Sequence, residues 1–377
     1  MAHKKLAYIF SVAMILQITL SCKKSCNNVA DSSIINFYLG ADLSYVNEME
    51  DCGAVYKNSN NQETDVFDIF KTAGANLIRV RLWHNPTWTN YSNLEDVIKT
   101  IQRAKNCNLS VLLDFHYSDT WADPSKQEIP LAWEINLSND SLLGDMLYNY
   151  TYSTLYTLDS LELSPEIVQI GNEINPMILQ KGNLQWPINW IRNSFLLNKG
   201  IKAVRNFSAT TTNNIEIMLH IAQPENAIWW FDQASKNNVE DYDWIGLSYY
   251  PQWSQYDLSN LGPVLSQLRT TYNKKLMIVE TAYPFTLQNI DSANNILDSQ
   301  GLLTNYPATQ QGQFDYLLEL KQVVQNSGGK GLVYWEPAWV STNCHTLWGN
   351  GSHWDNATLF DHQLKATKGL DFYCGNN

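Results

Sequence analysis

The stretch Ile167-Val-Gln-Ile-Gly-Asn-Glu173 decides how the rest of the chain is read. Its first four residues suit a strand buried on both faces, and Gly171-Asn-Glu follows where a parallel strand would surface into a loop. Leu276-Met-Ile-Val-Glu280 repeats the same grammar. Either glutamate alone reads as a carboxylate leaving a strand into water or an ion pair. Two buried strands that each end in Glu suggest a facing pair of carboxylates, which is what hydrolysis of a glycosidic bond requires.

Working outward from 167–173, strand-like and helix-like runs alternate from Asn36 to the end, the mark of a parallel α/β fold. Strands are expected at 37–43, 76–82, 110–115, 167–171, 216–221, 244–248, 275–280 and 331–335. Helices fit between them. Thr64 is placed to cap one that carries Val66, Phe70 and Ala73 and ends at Gly74, and Asn93 precedes Glu95, Asp96 and an apolar face from Val97 to Ala104. Pro187 suits a first helical turn ahead of Ile188, Ile191 and Phe195, and Phe314, Leu317, Leu318 and Val324 mark a late helix. Eight βα rounds without a Gly-rich dinucleotide fingerprint after the first strand favour a single closed (β/α)8 TIM barrel over an open sheet. Glu173 and Glu280 then end strands four and seven on one rim. Long loops rich in Trp, Tyr, Asn and Asp follow strands one, three, seven and eight on that same face.

Composition limits the partners. The 377 residues are 44% hydrophobic and 16% charged, enough for one large core, and the formal charge of −12 disfavours nucleic acid. The 14 Trp and 20 Tyr fit sugar rings stacking on aromatic faces. Residues 1–22, with Lys4 and Lys5 before an apolar run and Ser21-Cys22 after it, read as a cleaved secretory signal. Cys22 resembles the lipid-bearing residue of a bacterial lipoprotein, although Thr19 stands where Leu is usual. Residues 23–33 look like a tether, and 34–377 form the catalytic barrel. Secretion or surface anchoring is expected, with membrane contact only through a lipid anchor and a monomeric state. Cys52 and Cys344 fall in loops after strands one and eight, where a bridge could form; free buried thiols are the simpler reading, and spacing does not fix connectivity.

Chemistry by retention needs one carboxyl held protonated for the leaving oxygen and one ionised to attack. Glu280 is assigned as nucleophile, near the strand-two Arg79 and Arg81, one of which is expected to be a structural ion pair and the other to keep Glu280 ionised. Glu173 is assigned as acid/base, with Asn172 beside it to bind the sugar 2-hydroxyl. Tyr249 is expected to donate to the nucleophile and Trp335 to floor the subsite, core packing at a strand end being the plainer alternative for both.

These features together resemble the large clan of retaining (β/α)8 glycosidases, and several stretches resemble glycoside hydrolase family 53, the endo-β-1,4-galactanases. They are Gly40-Ala-Asp-Leu-Ser44 with Glu50 and Gly53-Ala-Val-Tyr56, Arg79-Val-Arg-Leu-Trp83, Leu113-Asp-Phe-His-Tyr-Ser-Asp-Thr-Trp-Ala-Asp-Pro124, Gln169-Ile-Gly-Asn-Glu173, Glu280-Thr-Ala-Tyr-Pro284 and Tyr334-Trp-Glu-Pro-Ala-Trp339. The resemblance implies internal cleavage of the β-1,4-galactan of type I arabinogalactan, with no cofactor for the chemistry. It places Asp42, Arg81, Trp83, His116, Asp119 and Trp121 at the sugar subsites. It also implies a structural calcium in the loops after strands seven and eight, with Asp291 and Asn295 in the ligand pattern and Ala293 at the middle position. The alternatives are a related retaining barrel acting on mannan or β-glucan, and a glycan-binding lipoprotein without turnover.

Overall fold

The computed structural model describes residues 36–239, 241–347 and 349–374. The signal and tether expectations therefore lie outside the described residues. The strands are β1 Tyr38–Asp42, β2 Leu77–Leu82, β3 Ser110–Phe115, β4 Ile167–Ile170, β5 Glu216–Ala222, β6 Trp244–Ser248, β7 Lys275–Glu280 and β8 Gly331–Tyr334. They form a closed barrel in sequence order, and β1 pairs in parallel with β8 from Tyr38↔Gly331 to Ala41↔Tyr334. Each strand falls within two residues of its sequence-based bounds.

The helices are α1 Val46–Asp51, α2 Val66–Ala73, α3 Leu94–Asn106, α4 Asp140–Ser160, α5 Trp190–Ser208, α6 Pro224–Lys236, α7 Leu258–Tyr272 and α8 Gln310–Asn326. Their starts follow capping chemistry. Asp65, rather than Thr64, caps α2 by accepting from Phe67 N, because an Asp carboxylate one residue closer satisfies the same orphan donor. Asn93 caps α3 as expected, accepting from Asp96 N at 3.0 Å. At the other end of α2, Gly74 takes φ 116°, and a Cβ there would meet Tyr373 O at 2.6 Å.

The start of α5 differs from the reading. Pro187 lies three residues before the helix, in a cis peptide with Trp186, and Asn189 provides the cap. The buried face of α5 is Leu196, Leu197, Gly200, Ile201 and Val204, so Ile191 and Phe195 point outward instead of into the core. Proline at the first turn and an apolar residue at each fourth position were the signals, and neither sees which face meets the sheet.

Inside the barrel, Leu77, Leu112, Ile167, Met218, Trp244, Met277, Val279 and Val333 form a separate apolar plug. A Cβ at Gly246 would sit 2.6 Å from Met218 Sδ, so that small residue makes room for the plug. On the opposite, C-terminal rim, Cys52 and Cys344 are joined by a disulfide. Free thiols were the simpler reading, and this pair corrects it: barrel closure brings the β1 and β8 loops together. The Cys107 thiol donates to Asp68 Oδ1 at 3.3 Å and the Cys374 thiol to Ala73 O at 3.4 Å.

Candidate active site

Along each strand, interior positions recur every second residue. Two residues beyond the plug the side chains become polar: Arg79 after Leu77, Asp114 after Leu112, Gln169 after Ile167, and His220 after Met218. Arg79 is the hub. Its Nη1 lies 2.8 Å from Asp42 Oδ2 and 2.9 Å from Glu280 Oε1, and its Nη2 lies 2.8 Å from both Asp114 Oδ2 and Asn172 Oδ1. Three carboxylates around one buried guanidinium hold its proton firmly and fix the positions of all four groups.

Glu173 and Glu280 line one cleft of about 380 Å³ together with Asp42, Arg79, Arg81, His116, Trp121, Asn172, Tyr250, Trp253, Trp335 and Trp354. Their environments differ. Glu280 has the Arg79 contact, and its Oε2 accepts from Tyr250 Oη at 3.2 Å. Burial and the Glu280 charge keep the Tyr250 hydroxyl protonated, so it remains a donor. Glu173 Oε1 accepts from Ser248 Oγ at 2.6 Å. Burial first, then the Glu280 charge, push Glu173 well above the usual carboxylate range. Burial also raises Glu280, but the Arg79 charge opposes it. The two carboxyls titrate together; the Arg79 charge favours the ionised form of Glu280, and Glu173 has no cation within contact.

The turn that delivers Glu173 is strained. Gly171 takes φ 83°, where a Cβ would meet Ile174 Cγ2 at 2.4 Å, and Glu173 itself takes φ 43°. Behind it, His220 stays neutral, because burial and then the Arg79 charge press its pKa well below the usual value. Its Nδ1 faces two donors, Gln169 Nε2 at 3.1 Å and Glu173 N at 3.3 Å, and one acceptor, Asn172 Oδ1 at 3.0 Å; assigned as acceptor from the two donors, it leaves the proton on Nε2, 2.9 Å from Ser248 Oγ. Ser248 can then donate to Glu173.

Several sequence expectations are corrected by this geometry. Tyr249 does not reach Glu280: its hydroxyl donates to Tyr256 O, and Tyr250 makes the contact. Interior parity along β6, set by Trp244 and Ser248, points to residue 250. Arg81 is the structural pair, with Nη1 2.5 Å from the buried Glu336, while Arg79 serves Glu280. Arg81 still borders the cleft. Trp83 is buried behind His116, donating to its Nδ1 at 3.3 Å, and does not line the cleft. Asp119 does not line it either; it accepts from Asn85 N and Leu131 N and fastens two loops. His116 lines the cleft, but Nδ1 accepts from Trp83 and Ala122 N while Nε2 faces Asp114 Oδ2 at 3.1 Å, so both nitrogens are occupied. The Asn172 amide is held by Arg79 and by Ala122 O, which makes it a spacer between Arg79 and the turn. Asp42, Trp121 and Trp335 lie on the cleft wall. Ser248, His220, Tyr250, Asp114 and Glu336 were missed; a polar residue at an interior position of an apolar strand was the available signal for the first, second and fourth.

The chain matches the model of glycosyl hydrolase family 53 over residues 38–373. The chain belongs to glycosyl hydrolase family 53. It is 56% identical over 339 residues to an arabinogalactan endo-beta-1,4-galactanase of Cellvibrio japonicus, covering 89% of each chain. Among solved structures it resembles the Ignisphaera aggregans GH53 catalytic domain, with TM-score 0.82, 30% identity and coverage of 92% and 98% of the two chains. It also resembles fungal beta-1,4-galactanases, with TM-score 0.76, 32% identity and coverage of 89% and 98%. The family 53 frame accounts for the two rim glutamates and the Trp-lined cleft.

The calcium expected from the family 53 resemblance was tested on the loop residues. Asp291, Asn295 and Asp355 do come together. Asp291 accepts from Ala293 N and Ser352 N, Asp355 from Ile290 N and Asn295 Nδ2, and Ser341 Oγ lies 2.7 Å from both carboxylates with one hydrogen to give. Asn295 turns its amide nitrogen to Asp355, and among the described residues no group of three or more His, Cys, Asp or Glu is arranged to hold a metal. Asp291 and Asn295 act here as a hydrogen-bonded clasp between the loops after β7 and β8.

Proposed function

We propose that the protein is a retaining endo-hydrolase of β-1,4-galactan that works by double displacement. The observation that carries this is the asymmetry of the carboxylate pair within a Trp-lined cleft: Glu280 sits on a guanidinium and Glu173 on a hydroxyl. Similarity to the Cellvibrio japonicus galactanase supports the choice of polymer.

In this mechanism Glu280, held ionised by Arg79 and steered by Tyr250, attacks the anomeric carbon while Glu173 gives its proton to the departing oxygen. Glu173, now a carboxylate, removes a proton from the water that opens the glycosyl-enzyme. Ser248 occupies Oε1 of Glu173, so Oε2 carries the proton in both half-reactions. Trp335 and Trp121 give the sugar an apolar face on which to rest. No cofactor takes part in these steps.

Time-resolved product analysis on linear β-1,4-galactan, beside mannan and mixed β-glucan, tests the reading. Early release of intermediate-length galacto-oligosaccharides with β-configured new ends is expected. Preferential cleavage of mannan or β-glucan would replace the substrate, and α-configured products would sink the double displacement.

The Cys52–Cys344 disulfide supports an oxidising compartment and hence export. We read Cys22 as the anchoring residue of a lipoprotein. Cys22→Ser should move the enzyme from the membrane fraction to the medium; an unchanged distribution would remove the anchor.

A further inference from the structure

The outer wall of the barrel at the rim ends of α5 and α6 carries aromatic rings that the reaction does not use. Trp190, the first residue of α5, packs against the buried Trp230 at 5.5 Å and against Trp229 at 6.5 Å, edge to face. Trp229 is 49% exposed and Trp186, four residues before α5 begins to turn inward, is 58% exposed. The neighbouring Ile191 is 85% exposed. One ring is thus anchored in the core and hands an aromatic surface outward. A single exposed Trp is unexceptional, but two exposed rings, with the half-buried Trp190 packed against one of them, form a surface that calls for an occupant.

Continuity with the cleft identifies that occupant. Trp253 lines the cleft, is 47% exposed, and packs on Tyr250 at 5.1 Å. Its loop is fastened to α6, because Glu225 accepts from Gln255 N at 2.9 Å and from Ser254 Oγ at 3.1 Å. Trp229 lies one helical turn beyond Glu225 on α6. The exposed rings therefore step from the cleft mouth at Trp253, over the start of α6, to the start of α5. The same segments carry the amides of Gln185, Asn189 and Asn226 and the Glu225 carboxylate in place of an unbroken aliphatic run. Separated aromatic faces among hydrogen-bonding groups suit a neutral polysaccharide, whose rings present C–H faces and hydroxyl edges.

We propose that Trp186, Trp190 and Trp229 form a second binding site for the galactan, holding a stretch of the polymer outside the cleft. This rests on the galactanase reading above. A chain seated there is kept near the cleft between cuts, which raises the local concentration of bonds to be cleaved.

The test uses Trp186→Ala/Trp229→Ala in the full enzyme and, for binding, in a Glu280→Gln background that does not digest the probe. Native electrophoresis through gels containing linear β-1,4-galactan measures retention; melting temperature confirms that each variant is folded, and the loop variant Trp186→Ala is run alone as a milder change. Expected is a roughly 3- to 10-fold loss of retention and a matching rise in KM on the polymer, the size that removing one or two aromatic contacts implies, with turnover of galactopentaose within about 2-fold. Unchanged retention and polymer KM would overturn the proposal, as would an equal loss on pentaose, which would mean that the patch acts through the cleft. A wild-type dimer that becomes monomeric in the double variant would assign the surface to a second copy and also overturn it. If the cleft cuts mannan instead, the galactan reading falls, and the patch is judged by the same measurements on mannan.

Discussion

The barrel interior has two storeys built by the same strands. The lower storey is apolar, with Leu77, Leu112, Ile167, Met218, Trp244, Met277 and Val333 in mutual contact. One strand period higher stand Arg79, Asp114, Gln169 and His220, with Asp42 and Glu280 completing the ring. The lower storey is held by burial and dispersion, which tolerate a change of shape at graded cost. The upper is held by charges that must all be present, since removing one leaves the others buried without a partner. The difference teaches that the plug fixes the strands, and the fixed strands allow a costly charged layer to exist where catalysis needs it.

Substitutions in the two storeys should separate accordingly. Glu280→Gln should lower kcat on galactan by roughly 10⁴-fold or more, the scale of losing a covalent nucleophile, with the melting temperature nearly unchanged; substantial residual turnover would reassign the nucleophile. Arg79→Met should lose activity and also stability, by about 3–5 kcal/mol in denaturant titration, because three carboxylates lose their common partner. A stable Arg79→Met protein would break the comparison outright. Met277→Ala in the plug should cost about 2–5 kcal/mol, yet leave kcat within about 2-fold where the protein is folded; a large kcat effect would show that the storeys are not separable.

Ser248→Ala should be milder, with kcat down about 10-fold for one lost hydrogen bond to a charged group. Its sign on pH is informative. Activity is lost as pH rises through the Glu173 pKa, since the acid must be protonated to act. Ser248 holds that pKa down against burial, so the alkaline limb should move to higher pH in the variant. A shift to lower pH would contradict the donor role. Smallest is the effect of a chelator on the loop clasp: excess EDTA should shift the melting temperature by less than about 2 °C, and a fall of many degrees would show that Asp291 and Asp355 hold a cation.

The sequence made the strands legible because each is an apolar run with turn residues at its ends, and it made Glu173 and Glu280 legible because each closes such a run. Arg79 and Arg81 were not separable, since both occupy interior positions of β2 and only barrel closure decides that Glu336 meets the second. Tyr249 and Tyr250 were separable in principle by the parity of Trp244 and Ser248. The outward turn of Ile191 and Phe195 was not, because α5 carries apolar residues on more than one face and packing against α4 and the sheet selects among them. The Ser248–His220 relay joins residues 28 apart through adjacent strands, a relation that no local spacing expresses.

The disulfide between Cys52 and Cys344 spans 292 residues, and both glutamates lie within that span. Most of the polypeptide is therefore a covalent ring with two short tails, fastened at the mouth of the barrel. A single proteolytic nick anywhere in the ring opens the circle without releasing a fragment, so Glu173 and Glu280 stay tethered to one another. That circular connectivity guards the two rim glutamates against the first cut.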